Sequence, residues 1–104
     1  MPLLARAEVA TDRPERWIKQ LVSHLGRRLE GTVDPETGVG VLRGTQFEAT
    51  LTPDGRRLLL VATAEDADGL ERITSVVGSH LERFAAGTEE LTVDWRPVED
   101  ATGR

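Results

Sequence analysis

The sequence contains no cysteine among its 104 residues. A chain without thiols cannot form a disulfide scaffold, a thiolate zinc site or an iron–sulfur cluster, and it has no cysteine nucleophile. The absence also suits a reducing compartment, and we expect a cytoplasmic protein. No apolar run approaches the roughly 20 residues that span a bilayer, and the first residues lack the charged-then-apolar order of a signal peptide. We therefore expect no membrane partner.

Aromatic and lysine residues are scarce. There is no tyrosine, the aromatic residues are two tryptophans and two phenylalanines, and Lys19 is the only lysine. Acidic residues outnumber basic ones by 18 to 13, which gives a formal net charge of −5 at pH 7. Binding of nucleic acid calls for a basic stripe or for a platform of aromatic side chains. We therefore expect no nucleic-acid partner.

Hydrophobic periodicity predicts a single α+β domain over residues 1–97 and a flexible C-terminal tail over residues 98–104. Alternating apolar and polar residues indicate strands, and apolar residues four positions apart indicate two amphipathic helices. The predicted strands cover 4–9, 29–34, 39–43, 46–52, 57–64 and 90–96, and the predicted helices cover 14–28 and 67–86. The order β-α-β-β-β-β-α-β favours an antiparallel-rich sheet of five to six strands with two helices on one face.

The strand predicted over residues 57–64 is apolar on both faces. Leu58 and Leu60 point to one side, and Leu59 and Val61 point to the other. Such a strand is usually central, and its second face needs a cover. A two-layer monomer would leave Leu59 and Val61 exposed, so we expect this face to form the contact of a homodimer.

A short motif occurs twice in the chain. Ser-His-Leu-x-Arg begins at Ser23 and again at Ser79, 56 residues later. Each copy lies near the end of a predicted helix that follows a strand, which is the organisation of a ferredoxin-like pseudo-repeat with an added hairpin. Chance similarity between two amphipathic helices explains the same pattern, and both interpretations stay open.

The only two histidines, His24 and His80, take matching positions in the two copies, at the edge of each apolar helix face. A neutral imidazole there could ligate a metal or move a proton, and guanidinium groups three or four positions later could hold a carboxylate or a phosphate. The candidate ligand-binding residues are His24, Arg27, Arg28, His80 and Arg83, with His24 and His80 as candidate metal ligands. A purely structural role for the histidines stays open, because the dipole at a helix C-terminus favours them there.

The other polar residues form no catalytic arrangement. Ser23 and His24 are adjacent on a helix and therefore point about 100° apart, so they do not form a Ser–His dyad. The acidic pair Glu89-Glu90 is typical of solvated charge. We therefore expect no catalytic residue and favour a protein that is not an enzyme. The sequence leaves the cofactor open.

Both histidine segments resemble one bacterial family, DUF2218, a domain of unknown function. The segment 10–28 is similar to the first helix of that family, in which a Gln-Leu-x-x-His motif precedes basic residues; here the motif is Gln20-Leu21-Val22-Ser23-His24. The segments 76–85 and 89–95 are similar to its closing block, so the resemblance covers roughly residues 5–96. Many relatives carry Cys-x-His in the first motif, where this chain has Val22-Ser23-His24. A chemistry that needs this thiol is therefore excluded here.

The resemblance implies a small cytoplasmic bacterial protein with no established activity. Some members are associated with siderophore-interacting reductases and iron-uptake genes. The motif histidines of the family fall on His24 and His80, and its basic residues fall on Arg27, Arg28 and Arg83. We therefore expect an accessory or binding module linked to iron or siderophore metabolism, with an anionic small molecule or a siderophore-interacting protein as its partner. The alternative is a structural or interaction protein that acts as a homodimer without a small-molecule ligand.

Overall fold

The computed structural model describes residues 3–98. In chain order its elements are β1 (Leu3–Ala10), α1 (Pro14–Leu25), β2 (Glu30–Val33), β3 (Gly40–Arg43), β4 (Phe47–Asp54), β5 (Arg57–Ala64), α2 (Ala67–Ala85) and β6 (Arg96–Val98). The strands make one six-stranded sheet in the order β2-β3-β4-β5-β1-β6, with antiparallel neighbours throughout. The predicted α+β architecture and element order are confirmed. Neither helix in this range is long and apolar enough to cross a bilayer.

Four of the strands form a ferredoxin-like core. β5 lies between β1 and β4 and is antiparallel to both, so β1 and β4 run parallel to each other. β1 lies between β5 and β6 and is antiparallel to both, so β5 and β6 also run parallel. In the chain α1 lies between β1 and β4, and α2 lies between β5 and β6, which makes two split β-α-β units. The hairpin of β2 and β3 follows α1 and extends the sheet beyond β4. A common origin of the two units stays a prediction.

The core lies between one face of the sheet and the two helices. Strand residues that point to this face are buried, as Ala7 in β1, Leu51 in β4 and Leu60 in β5 show. The helices pack on this face through apolar rows at four-residue spacing: Trp17, Leu21 and Leu25 in α1, and Ile73, Val77, Leu81 and Ala85 in α2. Burying one large aliphatic side chain of this kind contributes about 1.5–3 kcal/mol. These rows therefore decide how both helices lie on the sheet.

α1 ends at Leu25, three residues before the predicted boundary at Arg28. The N–H groups of Arg28 and Leu29 both donate to the Leu25 carbonyl, and the N–H of Gly26 donates to Val22. This tight turn satisfies carbonyls that the helix end would otherwise leave unpaired. The poor helix propensity of Gly26 explains why the chain turns here. Arg27 and Arg28 therefore lie in a turn and not on the helix.

The last strand lies later in the chain than predicted. We expected a strand over 90–96 that Pro97 ends, whereas β6 spans Arg96–Val98 and includes Pro97. β6 is an edge strand with β1 as its neighbour, so the missing N–H of Pro97 is tolerated. Val98, the first residue of the tail predicted over 98–104, therefore belongs to β6. The rest of the predicted tail, residues 99–104, lies outside the described residues.

The alternating apolar residues before β6 pack on α2 instead of pairing in the sheet. The N–H of Val93 donates to the Glu82 carboxylate of α2 at 2.8 Å. Trp95 lies so close to Gly78 of α2 that a Cβ on this glycine would be 3.0 Å from the indole nitrogen. Period-two alternation is therefore satisfied here by an extended segment that lies along a helix.

Glu89 follows the end of α2 in the chain and accepts hydrogen bonds from residues at the start of α1. Its Oε1 accepts from the Thr11 hydroxyl at 2.6 Å and from the Trp17 indole N–H at 2.8 Å, and its Oε2 accepts from the N–H of Asp12 at 3.1 Å. We call Glu89, Thr11, Trp17 and the Asp12 backbone the Glu89 cluster. The expectation that Glu89 is solvated charge was therefore wrong. A carboxylate here also faces the positive end of the α1 dipole.

The Glu89 cluster makes stability depend on pH. The hydrogen bond from Thr11 lowers the pKa of Glu89 below its ordinary value of 4.5; burial acts against this, and the bonds from Trp17 and Asp12 add to it. A lowered folded-state pKa stabilises the fold above pH 4.5, and this contribution is lost as the pH falls through the folded-state pKa. We expect Glu89→Gln to lower the free energy of unfolding by about 1 kcal/mol at neutral pH and by much less in acid.

Urea unfolding at neutral pH and well below pH 4.5 measures this effect. Glu90→Gln is the matched control, because Glu90 is the exposed neighbour and makes no side-chain hydrogen bond in the described residues. An equal loss of stability in both variants, or a Glu89→Gln loss that persists in acid, would contradict the role of the cluster.

Candidate ligand-binding cleft

A cleft of about 540 Å³ opens between the two helices, at the C-terminal end of α1. Its apolar floor comes from both helices, the turn after α1 and the start of β4, and consists of Leu25, Leu29, Phe47, Ile73 and Val76. Its polar lining consists of His24, Arg27, Arg28, Arg72 and His80. The volume lies in the range of small-molecule sites, and the mixture of an apolar floor and a few polar groups is typical of them.

The α2 side of the cleft is built by one row of residues at four-residue spacing. Arg72, Val76, His80 and Phe84 follow one another along the helix and therefore lie on one face. The first three line the cleft, and Phe84 packs beside the histidines. On the α1 side, the early end of the helix places Arg27 and Arg28 in a turn at the mouth of the cleft. One wall therefore comes from α2, and the other comes from the end of α1 and the turn that follows it.

The two imidazole rings lie next to each other across the helix pair. Their centroids are 5.2 Å apart, and the ring planes are tilted by 43°. The Phe84 ring meets both of them edge-on, with centroids 5.2 Å from His24 and 5.9 Å from His80. The histidines from the two copies of the motif, 56 residues apart in the chain, thus share one location.

The two histidines differ in their hydrogen bonds. Nδ1 of His80 lies 2.7 Å from the carbonyl oxygen of Val76, which can only accept, so Nδ1 is the protonated nitrogen of the neutral ring. Nε2 of His80 then keeps its lone pair for another partner. His24 is exposed, and its ring has no hydrogen bond to the residues at 3–98. A purely structural role therefore accounts for His80, whose ring is held by a hydrogen bond. It does not account for His24.

The arginines of the cleft have no acidic partner within the described part of the chain. Arg27, Arg28 and Arg72 take no part in the ion pairs of the described residues, which use other arginines. The cleft lining contains no aspartate or glutamate. In a protein of net charge −5, three arginines that form no ion pair within residues 3–98 therefore line one cleft.

The structure brings four of the five candidate residues to this cleft and leaves one outside. His24, Arg27, Arg28 and His80 line it, whereas Arg83 does not. Arg83 follows His80 by three positions and lies next to Phe84, off the row that faces the cleft. Arg72 was missed from the sequence, although its position two four-residue steps before His80 is a signal that could have found it.

Comparison with known proteins identifies the family of the chain. Residues 6–96 match the family described as an uncharacterized protein conserved in bacteria, DUF2218. The chain belongs to DUF2218. Among solved structures it is similar to the one described as the NMR structure of PA4090 from Pseudomonas aeruginosa, with 26% identity and a TM-score of 0.76, over 94% of this chain and 99% of that one. No match is found among curated proteins.

For this DUF2218 member the cleft offers nitrogen donors and cations. Within residues 3–98 no three or more histidine, aspartate or glutamate side chains gather as a metal cluster. The chain itself therefore provides at most the two imidazoles to a metal at this location. Chemically, the cleft can bind an anion, supply imidazole nitrogen to a bound group and cover an apolar body.

Proposed function

We propose that this DUF2218 protein is a binding module, not an enzyme, whose cleft holds a small anionic ligand with an apolar body. The observation that carries the proposal is a cleft lining that combines apolar side chains with three arginines, none of which forms an ion pair within residues 3–98. A guanidinium group binds carboxylate or phosphate through two parallel hydrogen bonds, and such charge-assisted bonds are about twice as strong as neutral ones. The floor adds favourable burial for a ring or an alkyl group.

Binding is favoured over catalysis by the kinds of side chain in the lining. Imidazole can transfer protons, but the lining holds no hydroxyl or carboxylate to act as a nucleophile or to orient the imidazole. Both histidines are placed by packing against Phe84, and one is also held by a backbone carbonyl. This arrangement supports binding over catalysis, because it lacks a paired acid and base.

The link to iron or siderophore metabolism in the cytoplasm is part of the proposal and rests on the family resemblance. An iron-loaded siderophore that carries carboxylates belongs to the chemical class that the cleft fits. We expect such a carboxylate siderophore to bind, and a neutral ferric hydroxamate to bind much more weakly. Equal affinity for the carboxylate siderophore and the hydroxamate would contradict the siderophore link but not the proposed binding of an anion.

Isothermal titration calorimetry with phenyl phosphate tests the proposed function. Inorganic phosphate has the charge without the ring, and phenol has the ring without the phosphate. We expect phenyl phosphate to bind at least about tenfold more tightly than either, and its affinity to fall as sodium chloride is added. Absence of binding, or equal affinity for phenol and phenyl phosphate, would contradict an anion site.

The uncovered face of the sheet favours a second candidate, a homodimer that acts without a small-molecule ligand. Val41 and Val61 flank Thr50 across three strands on this face, and Leu59 lies beside them, all half-buried. A second copy would complete the burial of these side chains. Light scattering over a range of concentrations tests the homodimer, and a mass that stays that of one chain would contradict it.

A further inference from the structure

The two imidazoles lie close enough together for both to bind one metal ion. With metal–nitrogen bonds of about 2.1 Å and about 1.1 Å from nitrogen to ring centre, two imidazoles on one ion have centroids about 4.5–5.3 Å apart for ligand angles from about 90° to about 110°. The observed separation of His24 and His80 is 5.2 Å. The tilt of 43° between the rings also sets them apart from a parallel stack.

The hydrogen bond of His80 prepares one nitrogen for coordination. A metal-binding histidine usually donates its other ring N–H to a carbonyl or carboxylate, which fixes the tautomer and the ring orientation. His80 donates from Nδ1 to the Val76 carbonyl at 2.7 Å, so Nε2 is the nitrogen that would coordinate. Val76 lines the cleft beside His80, and its carbonyl belongs to the rigid turn of the helix that carries this histidine.

The charges around the pair decide which form of metal can enter. Arg27, Arg28 and Arg72 would repel a bare divalent cation, and the cleft lining contains no carboxylate to offset them. A metal ion that is already held by an anionic chelator would be attracted to the arginines, because the complex as a whole is negative. Its free carboxylate oxygens can then accept hydrogen bonds from the guanidinium groups.

We propose that His24 and His80 together coordinate a late first-row transition metal ion that enters the cleft as an anionic chelate. The two imidazole nitrogens replace two water molecules on the metal, and the cleft arginines bind the chelator. Imidazole is a preferred ligand of nickel, copper and zinc ions, which supports this class of metal. The proposal rests on the anion binding proposed above and names the kind of anion.

Nickel nitrilotriacetate is a suitable probe. The complex carries one negative charge and leaves two adjacent coordination positions to water, which two imidazoles can take. Because His24 and His80 are the only histidines in the sequence, tag-free protein offers no other imidazole. Calorimetry and the visible absorption of nickel report binding and coordination separately, and nitrilotriacetate without metal and nickel without chelator are the two reference titrations.

We expect the nickel chelate to bind at least about tenfold more tightly than metal-free nitrilotriacetate, with a shift of the nickel absorption bands. His24→Ala and His80→Ala should each remove the shift and the added affinity, whereas Arg83→Gln should change neither. Thermal unfolding of the same variants shows whether the fold is intact. If either histidine variant is unfolded, His24→Gln or His80→Gln replaces it.

Two outcomes would overturn the metal proposal. One is a chelate that binds no better than metal-free nitrilotriacetate, and the other is coordination that survives loss of a histidine. If phenyl phosphate still binds in these cases, the metal site has failed and the anion site stands. Nickel coordination through both histidines without any binding of phenyl phosphate would instead support the metal pair and contradict the proposed anion site.

Discussion

Arg72→Glu is expected to weaken the binding of phenyl phosphate by about 100-fold. The substitution removes one of three guanidinium groups that line the cleft and places a carboxylate beside the bound anion. Loss of a hydrogen-bonded charge partner costs about 2–5 kcal/mol in a well-covered site, and the lower part of that range suits a cleft open to water. Calorimetry at low and at physiological salt measures the change in dissociation constant.

Arg83→Glu is the matched control for this experiment. Arg83 is on the same helix, eleven residues further along, and is exposed outside the cleft, so the variant has the same change in net charge. We expect its affinity to stay within about twofold of the parent protein at physiological salt, where distant charges are screened. Equal losses in the two variants would mean that overall charge, and not the cleft, attracts the anion.

Trp17→Ala is expected to cause the largest loss of stability. The side chain of Trp17 is only 1% exposed and lies between the backbone of α1 and the sheet. Its indole N–H donates to Thr11 and Glu89. Truncation of a buried tryptophan costs about 3–5 kcal/mol, and here it also removes a donor from the Glu89 cluster. We expect the unfolding temperature to fall by about 15–30 °C, measured by circular dichroism.

Two further variants separate the ring of Trp17 from its N–H group. Trp17→Phe keeps most of the volume and removes the donor, so we expect a loss of roughly 1–2 kcal/mol. Trp95→Ala is the control at the second tryptophan, which is half-buried and whose indole nitrogen is without a hydrogen-bond partner among the described residues. A loss as large for Trp95→Ala as for Trp17→Ala would contradict the central place of Trp17 in the core.

The elements that follow a strong local rule could be predicted from the sequence. An aspartate directly before a predicted helix is typical of a cap, and the carboxylate of Asp66, which precedes the helix predicted over 67–86, accepts from the N–H of Gly69. Glycines between two predicted strands are typical of turns, and Gly38 and Gly55 in these positions have positive φ angles of 80° and 65°. The apolar rows of both helices were equally clear. In each case the signal lies within a few residues of the feature it determines.

The elements that depend on distant contacts could not be predicted. Glu89 has the same local pattern as the exposed Glu90, and only the arrival of Thr11 and Trp17, more than 70 residues away, distinguishes them. The segment before β6 alternates like a strand, but α2 provides the surface on which it packs. For the site, the repeat predicted that the two histidines correspond, whereas their separation of 5.2 Å needed the fold.

The two ends of the helix pair are held together in different ways. At the start of α1 the Glu89 cluster supplies directional hydrogen bonds of 2.6–3.1 Å, which lose their strength when the groups move apart. At the cleft end, His24, His80 and Phe84 contact each other through ring faces and edges, and no side-chain hydrogen bond joins the helices in this part of the described structure. Ring contacts constrain direction less than hydrogen bonds do. The start of α1 is therefore held to the segment after α2 in both distance and direction, whereas at the cleft end packing alone sets how the two helices meet.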